Sequence, residues 1–136
     1  MSGYSGTPLL KKLGIKPGHL MRTVNEPKDY WDWLSPLPEG AKINEKAGRA
    51  GLNFVHLFVK EKREFKKEFL VNKKLLKKDG MLWVSWPKKS SKVPTDLDEN
   101  FIRNFGLENG LVDVKVCAVD EIWSGLKFVF RLKDRY

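Results

Sequence analysis

The chain alternates between two hydrophobic rhythms. Residues 52–59 (LNFVHLFV) are apolar almost without a break, the pattern of a central strand covered on both faces. Residues 81–86 (MLWVSW) repeat it. Between them the spacing is helical, with Phe65, Phe69, Leu70 and Leu76 on an inward stripe and Asp79-Gly80 as its end. A second helix is predicted over residues 96–108, with Leu97, Phe101, Ile102 and Phe105 on one face. Thr95 would cap it and Asn109-Gly110 would stop it. Two alternating runs follow, 111–120 and 126–133. Val112, Val114, Val116 and Ala118 share one face of the first, and Leu126, Phe128, Phe130 and Leu132 one face of the second. They predict an antiparallel pair with one apolar and one mixed face.

The amino-terminal third is more broken. Thr7-Pro8 and Gly14 bound a short helix over residues 8–13, and Lys16-Pro17-Gly18 makes a turn. A strand is predicted over 19–25, and a short helix over 27–34 carries Tyr30, Trp31, Trp33 and Leu34 toward the core. Residues 41–46 suit a short strand. The order α-β-α-β-β-α-β-α-β-β predicts an α/β fold. We expect one Rossmann-like domain over residues 1–136, with 1–7 as an arm. Its sheet should be mostly parallel, with helices on its faces and a C-terminal antiparallel strand pair.

Composition narrows the class. A chain of 136 residues, 41% hydrophobic, can bury a core, and no apolar run reaches the ~20 residues of a membrane span. The single cysteine, Cys117, excludes an internal disulfide and points to a reducing cytoplasm. The net charge of +9 is concentrated: residues 60–78, from Lys60 to Lys78, hold nine Lys or Arg against three Glu. That helix is either a solvated face or a surface for nucleic acid.

In open α/β sheets ligands gather beyond the carboxyl ends of the strands. Asn25 follows the first strand and Lys60 the central one, and residues 87–95 follow the next. There Trp86 could stack, Lys88 and Lys89 supply charge, and Ser90 and Thr95 supply hydroxyls, beside a helix amino end suited to an anion. The bland account of this loop is strand end, breaker and cap, with Asp96, Asp98 and Glu99 repelling an anion. The turn Asp120-Glu121-Ile122-Trp123-Ser124-Gly125 adds Trp123 and Ser124 as candidates. Catalytic constellations are sparse. His19 and His56 fall inside predicted strands without metal-ligand spacing, and no serine sits in a G-x-S-x-G elbow. No metal is expected.

Four segments carry a resemblance: SGYSGTPLLKKLGIKPG (2–18), LFV (57–59), LWVSWPKK (82–89) and GLVDVKVCAVDEIWSGLKFV (110–129). They resemble a family of small uncharacterised bacterial proteins, domain of unknown function 3052, which implies no reaction. The back half also resembles a class I methyltransferase: buried strand, helix, buried strand, helix and closing antiparallel pair. Where that resemblance implies a glycine-rich cofactor loop, the first strand ends TVNEPKDY. The departure argues against S-adenosylmethionine (SAM).

The expectation is a non-catalytic module binding a small phosphate- or carboxylate-bearing ligand through Asn25, Trp86, Lys88, Lys89, Ser90, Thr95, Trp123 and Ser124. Two alternatives stay open. One is nucleic-acid binding through residues 60–78. The other is an enzyme of unrecognised type, using Asp120, Glu121 or Cys117.

Overall fold

The computed structural model describes residues 8–43 and 51–135. The arm, its Thr7 cap, and most of the strand expected over 41–46 lie outside them. The elements are α1 (Leu9–Leu13), β1 (Leu20–Val24), α2 (Tyr30–Leu34), β2 (Lys42–Ile43), β3 (Leu52–Phe58), α3 (Lys62–Leu75), β4 (Leu76–Pro87), α4 (Glu99–Glu108), β5 (Leu111–Ala118) and β6 (Trp123–Phe130).

They form one six-stranded sheet in the order β2-β1-β3-β4-β6-β5. β1 to β4 are mutually parallel, while β6 is antiparallel to both its neighbours, β4 and β5. The last strand therefore inserts between β4 and β5. Helices cover both faces. α3 and α4 place Phe65, Phe69 and Ile102 against Val55, Leu57, Val84, Leu126 and Phe128. α1 and α2 place Leu13, Tyr30 and Leu34 against Met21, Phe54, Phe58 and Trp83. Because β3 and β4 carry core residues on both sides, they read as unbroken apolar runs. The Trp83 indole donates to the Leu13 carbonyl at 2.9 Å, tying α1 to the sheet.

Several boundaries differ from expectation. α3 stops at Leu75, and Asp79-Gly80 lies inside β4 rather than closing the helix. Leu76 is buried and pairs with Leu52, whereas the next paired residues are Phe54 and Met81. The intervening residues of β4 bulge, and a Cβ on Gly80 would stand 2.8 Å from the Leu52 carbonyl oxygen. Glycine is what the close strand approach demands.

α4 begins at Glu99, capped by Asp98, whose carboxylate accepts from the Phe101 amide at 2.8 Å. Thr95 is thus not its cap. Trp123-Ser124-Gly125 is not a loop but the start of β6, because Gly125 packs under Trp83, whose ring a Cβ would meet at 3.1 Å. In β5 an irregularity between Asp113 and Lys115, together with the edge position, leaves Val114 and Val116 about half exposed. The single apolar face expected there is lost. Leu132 is exposed beyond the end of β6. No helix among the described residues is long and apolar enough to cross a membrane.

Candidate functional site

The strand order reverses beside β1. From β1 the chain passes through α2, on one face, to β2 at the sheet edge. It then returns to β3 on β1's other side and crosses by α3, on the opposite face, to β4. The crevice between the carboxyl ends of β1 and β3 is therefore the switch point, where open α/β sheets hold ligands.

A groove of about 280 Å³ lies there, lined by Asn25, Phe58, Lys60, Glu64 and Trp123. Phe58 and Trp123 meet edge to face at 5.1 Å between centroids. The Asn25 amide donates to Glu64 Oε2 at 2.9 Å, and Glu64 Oε1 accepts from the Lys60 backbone at 3.2 Å. Asn25 itself has φ 58°, the left-handed region, directly after β1. After glycine, asparagine is among the residues best able to hold that turn.

A second groove, of about 430 Å³, opens beyond β4 and is lined by Trp86, Pro87, Lys88, Lys89, Leu97, Asp98, Glu99, Asn100 and Ser124. Trp123 and Ser124, adjacent in β6, face one groove each. The Lys88 amide donates to the Ile122 carbonyl at 2.8 Å and Pro87 pairs with Trp123, so the two corners are one unit.

The sequence candidates thus divide. Trp86, Lys88, Lys89 and Ser124 share the β4 groove; Asn25 and Trp123 share the other. Ser90 is exposed and lines neither. Thr95 is consumed structurally: its hydroxyl donates to the Lys60 carbonyl at 2.5 Å and accepts from Leu97 at 3.1 Å. Asp96 accepts from the Lys62 amide at 2.7 Å, capping α3 from outside that helix. The amino ends of α3 and α4 therefore each give a backbone donor to one of the chain's own carboxylates, which places negative charge where an anion was expected.

Other candidates are also structural. Asp120 accepts from Ile122 at 2.9 Å and Trp123 at 2.7 Å, making the hairpin turn. Burial raises the Cys117 thiol above its usual range, the opposite of activation. Among the described residues no group of three His, Cys, Asp or Glu could hold a metal ion.

Sequence reasoning missed one constellation. His56 Nδ1 lies 2.8 Å from the Tyr30 hydroxyl and Nε2 lies 2.7 Å from the Ser85 hydroxyl, all three side chains being buried. The His56 ring stacks on Phe58 at 4.2 Å, one layer beneath the β1–β3 groove. Burial pushes its pKa down to about 3, so it is neutral, one nitrogen donating and the other accepting. The signal was present: His56 and Ser85 are polar residues within the apolar runs of two buried strands, where they must find partners.

No family model matches the chain, and no curated protein matches it. The resemblance to the uncharacterised bacterial family, domain of unknown function 3052, therefore finds no support there. Solved structures do match. A SAM-dependent methyltransferase from Aquifex aeolicus is similar with a TM-score of 0.61 at 13% identity, over 90% of this chain and 88% of that one. A ribosomal protein L11 methylase from Lactobacillus delbrueckii subsp. bulgaricus matches with a TM-score of 0.55 at 10% identity, over 90% of this chain and 75% of that one. Magnesium protoporphyrin IX methyltransferase from Synechocystis PCC 6803, with bound SAM, matches at 0.55 and 12% identity, over 90% and 74%.

At these identities the likeness shows the fold, and the fold is that of methyltransferases. Three expectations are corrected by it. The expectation of a non-catalytic anion-binding module is overturned, because the solved structures that share this fold are methyltransferases. The inclination against an enzyme falls with it. The exclusion of SAM, which rested on the missing glycine-rich loop, also falls: the fold match includes a SAM-bound structure.

Proposed function

We propose that this chain is a methyltransferase that binds SAM in the groove between β1 and β3. One observation carries the reading: the groove coincides with the switch point of a methyltransferase-like sheet, and its lining suits the chemistry of that ligand. Phe58 and Trp123 offer an aromatic wall for an adenine ring. Lys60 offers a cation for a carboxylate, and Glu64 and the Asn25 carbonyl offer acceptors for ribose hydroxyls or an ammonium group. When bound, SAM supplies an electrophilic methyl group on a sulfonium. The β4 groove adjoins through Trp123-Ser124, and we assign it to the methyl acceptor. There Trp86 gives apolar area while Lys88 and Asp98 give opposite charges. The compartment this assumes is the cytoplasm, in keeping with the lone Cys117.

Calorimetric titration with SAM and with S-adenosylhomocysteine tests the reading. Both should bind, and Lys60→Ala, at an exposed position, should weaken binding about tenfold, near 1.4 kcal/mol. Absence of binding and of any thermal shift at about 1 mM ligand, a range covering affinities beyond about −4 kcal/mol, would overturn it.

A further inference from the structure

α3 sorts its charges by flank. Phe65, Phe69 and Asn72 are buried on its sheet side. Glu64 and Glu68 lie toward β1, where Glu64 receives the Asn25 amide and Glu68 receives Asn72, itself bonded by Arg22. Lys62 and Lys66 lie toward α4, with their ammonium groups 4.5 and 5.6 Å from the centroid of the Phe101 ring. Lys73 donates to the Asn109 carbonyl.

What remains, at helical spacing opposite the buried stripe, is Arg63, Lys67 and Lys74. All three are exposed, and none is in an ion pair among the described residues. At 1.5 Å rise per residue they span about 17 Å. The row continues past the helix end. Lys78 sits 4.6 Å over the Phe130 ring and, with Lys73, Lys133 and one acid, Asp134, lines a shallow groove of about 370 Å³. At its other end it meets the β1–β3 groove through Lys60.

A merely solvated helix gains from acids set one turn from its lysines. Here the acids are withdrawn to one flank and the outward surface carries cations. The other anionic partners fit less well. A bilayer needs an outward apolar face with aromatic anchors, but Phe65 and Phe69 are buried and only Leu70 and Val71 show. An acidic peptide needs pockets for its side chains or a sheet edge, and Arg63, Lys67 and Lys74 themselves line none of the three grooves and lie on no strand.

We propose that this row binds the phosphate backbone of a nucleic acid, the methyl acceptor, and leads it past the β1–β3 groove to the adjoining β4 groove. The second half rests on the methyltransferase reading; the first does not.

The test is fluorescence anisotropy of the full chain with a labelled single-stranded RNA and the matching DNA. If Arg63, Lys67, Lys74 and Lys78 neutralise about four phosphates, affinity for a single strand should fall about 50-fold between about 50 and 200 mM salt. Arg63→Glu/Lys67→Glu/Lys74→Glu should reduce affinity more than about tenfold at low salt. Lys11→Glu/Lys16→Glu/Lys28→Glu, a charge-matched change at exposed sites on the α1–α2 side, should leave most of it.

Circular dichroism and thermal unfolding establish that the first triple variant is folded. No binding at low salt, binding that ignores salt, equal loss in both triple variants, or capture by phosphatidylserine vesicles without nucleic-acid binding would each overturn the surface. Salt-dependent nucleic-acid binding by a chain that ignores SAM would leave the surface standing and sink the methyltransferase reading.

Discussion

The Asp96 carboxylate caps α3 through the Lys62 amide at 2.7 Å, although 34 residues separate the two. The residue in the N-cap position, Glu61, makes no side-chain cap bond. The loop after β4 thus closes the amino end of the helix before it, and Thr95 adds a bond to the Lys60 carbonyl. Loss of an N-cap costs about 1 kcal/mol. Asp96→Ala should lower unfolding free energy by about that much in urea titration, with no loss of helix content at room temperature. An unchanged midpoint would show that the cap contributes nothing.

His56 makes stability depend on pH. In the unfolded chain its pKa is near the ordinary histidine value of 6.5, and in the fold burial lowers it to about 3. Unfolding therefore takes up a proton anywhere between those values. The contribution is fully present above about 6.5 and is lost as pH falls toward 3, at about 1.4 kcal/mol per pH unit. Between pH 7 and 5, above most carboxylate titration, stability should fall by about 2 kcal/mol. A flat profile across that window would mean that His56 is not buried neutral.

Gly106 marks where α4 rests on the sheet. A Cβ there would stand 2.1 Å from Phe128 Cε1, and Phe128 is fully buried. The ring cannot retreat without disturbing Phe69, packed at 5.5 Å between centroids. Gly106→Ala should destabilise the protein by about 1–3 kcal/mol despite alanine's better helix propensity. Pairing it with Phe128→Leu should recover part of the loss relative to Phe128→Leu alone, measured as coupling in a double-mutant cycle.

Asn25 separates backbone from side chain. Asn25→Gly keeps φ 58° accessible but removes the bond to Glu64. Asn25→Val strains the backbone by about 1–3 kcal/mol. Under the proposed function the glycine variant should remain folded with SAM affinity within about tenfold of the parent, and the valine variant should lose both stability and binding. Thermal shift and calorimetry distinguish them. Equal behaviour of the two would remove the backbone from the argument.

What was legible in the sequence is what depends on neighbours. Periodicity placed β3, β4, α3 and α4 because burial of one face requires a local spacing, and it located Trp86, Lys88 and Asn25 at strand ends. Where it erred, a distant residue intervened. Asp79-Gly80 looked like a helix stop but is a bulge set by Leu52. Thr95 looked like a cap, but its hydroxyl serves Lys60. Trp123-Ser124-Gly125 looked like a turn, but Gly125 is strand packed under Trp83.

By itself, then, the sequence determined an α/β chain with two buried strands, a charged helix between them and a closing antiparallel pair. Each of these needs only the hydrophobic pattern within one segment. Tertiary structure alone decided that β6 enters between β4 and β5, that Tyr30, His56 and Ser85 join, and that a groove opens at the β1–β3 reversal. Each of those brings together side chains or strands far apart in the chain. Their distances are set by packing across the sheet, which no local spacing encodes.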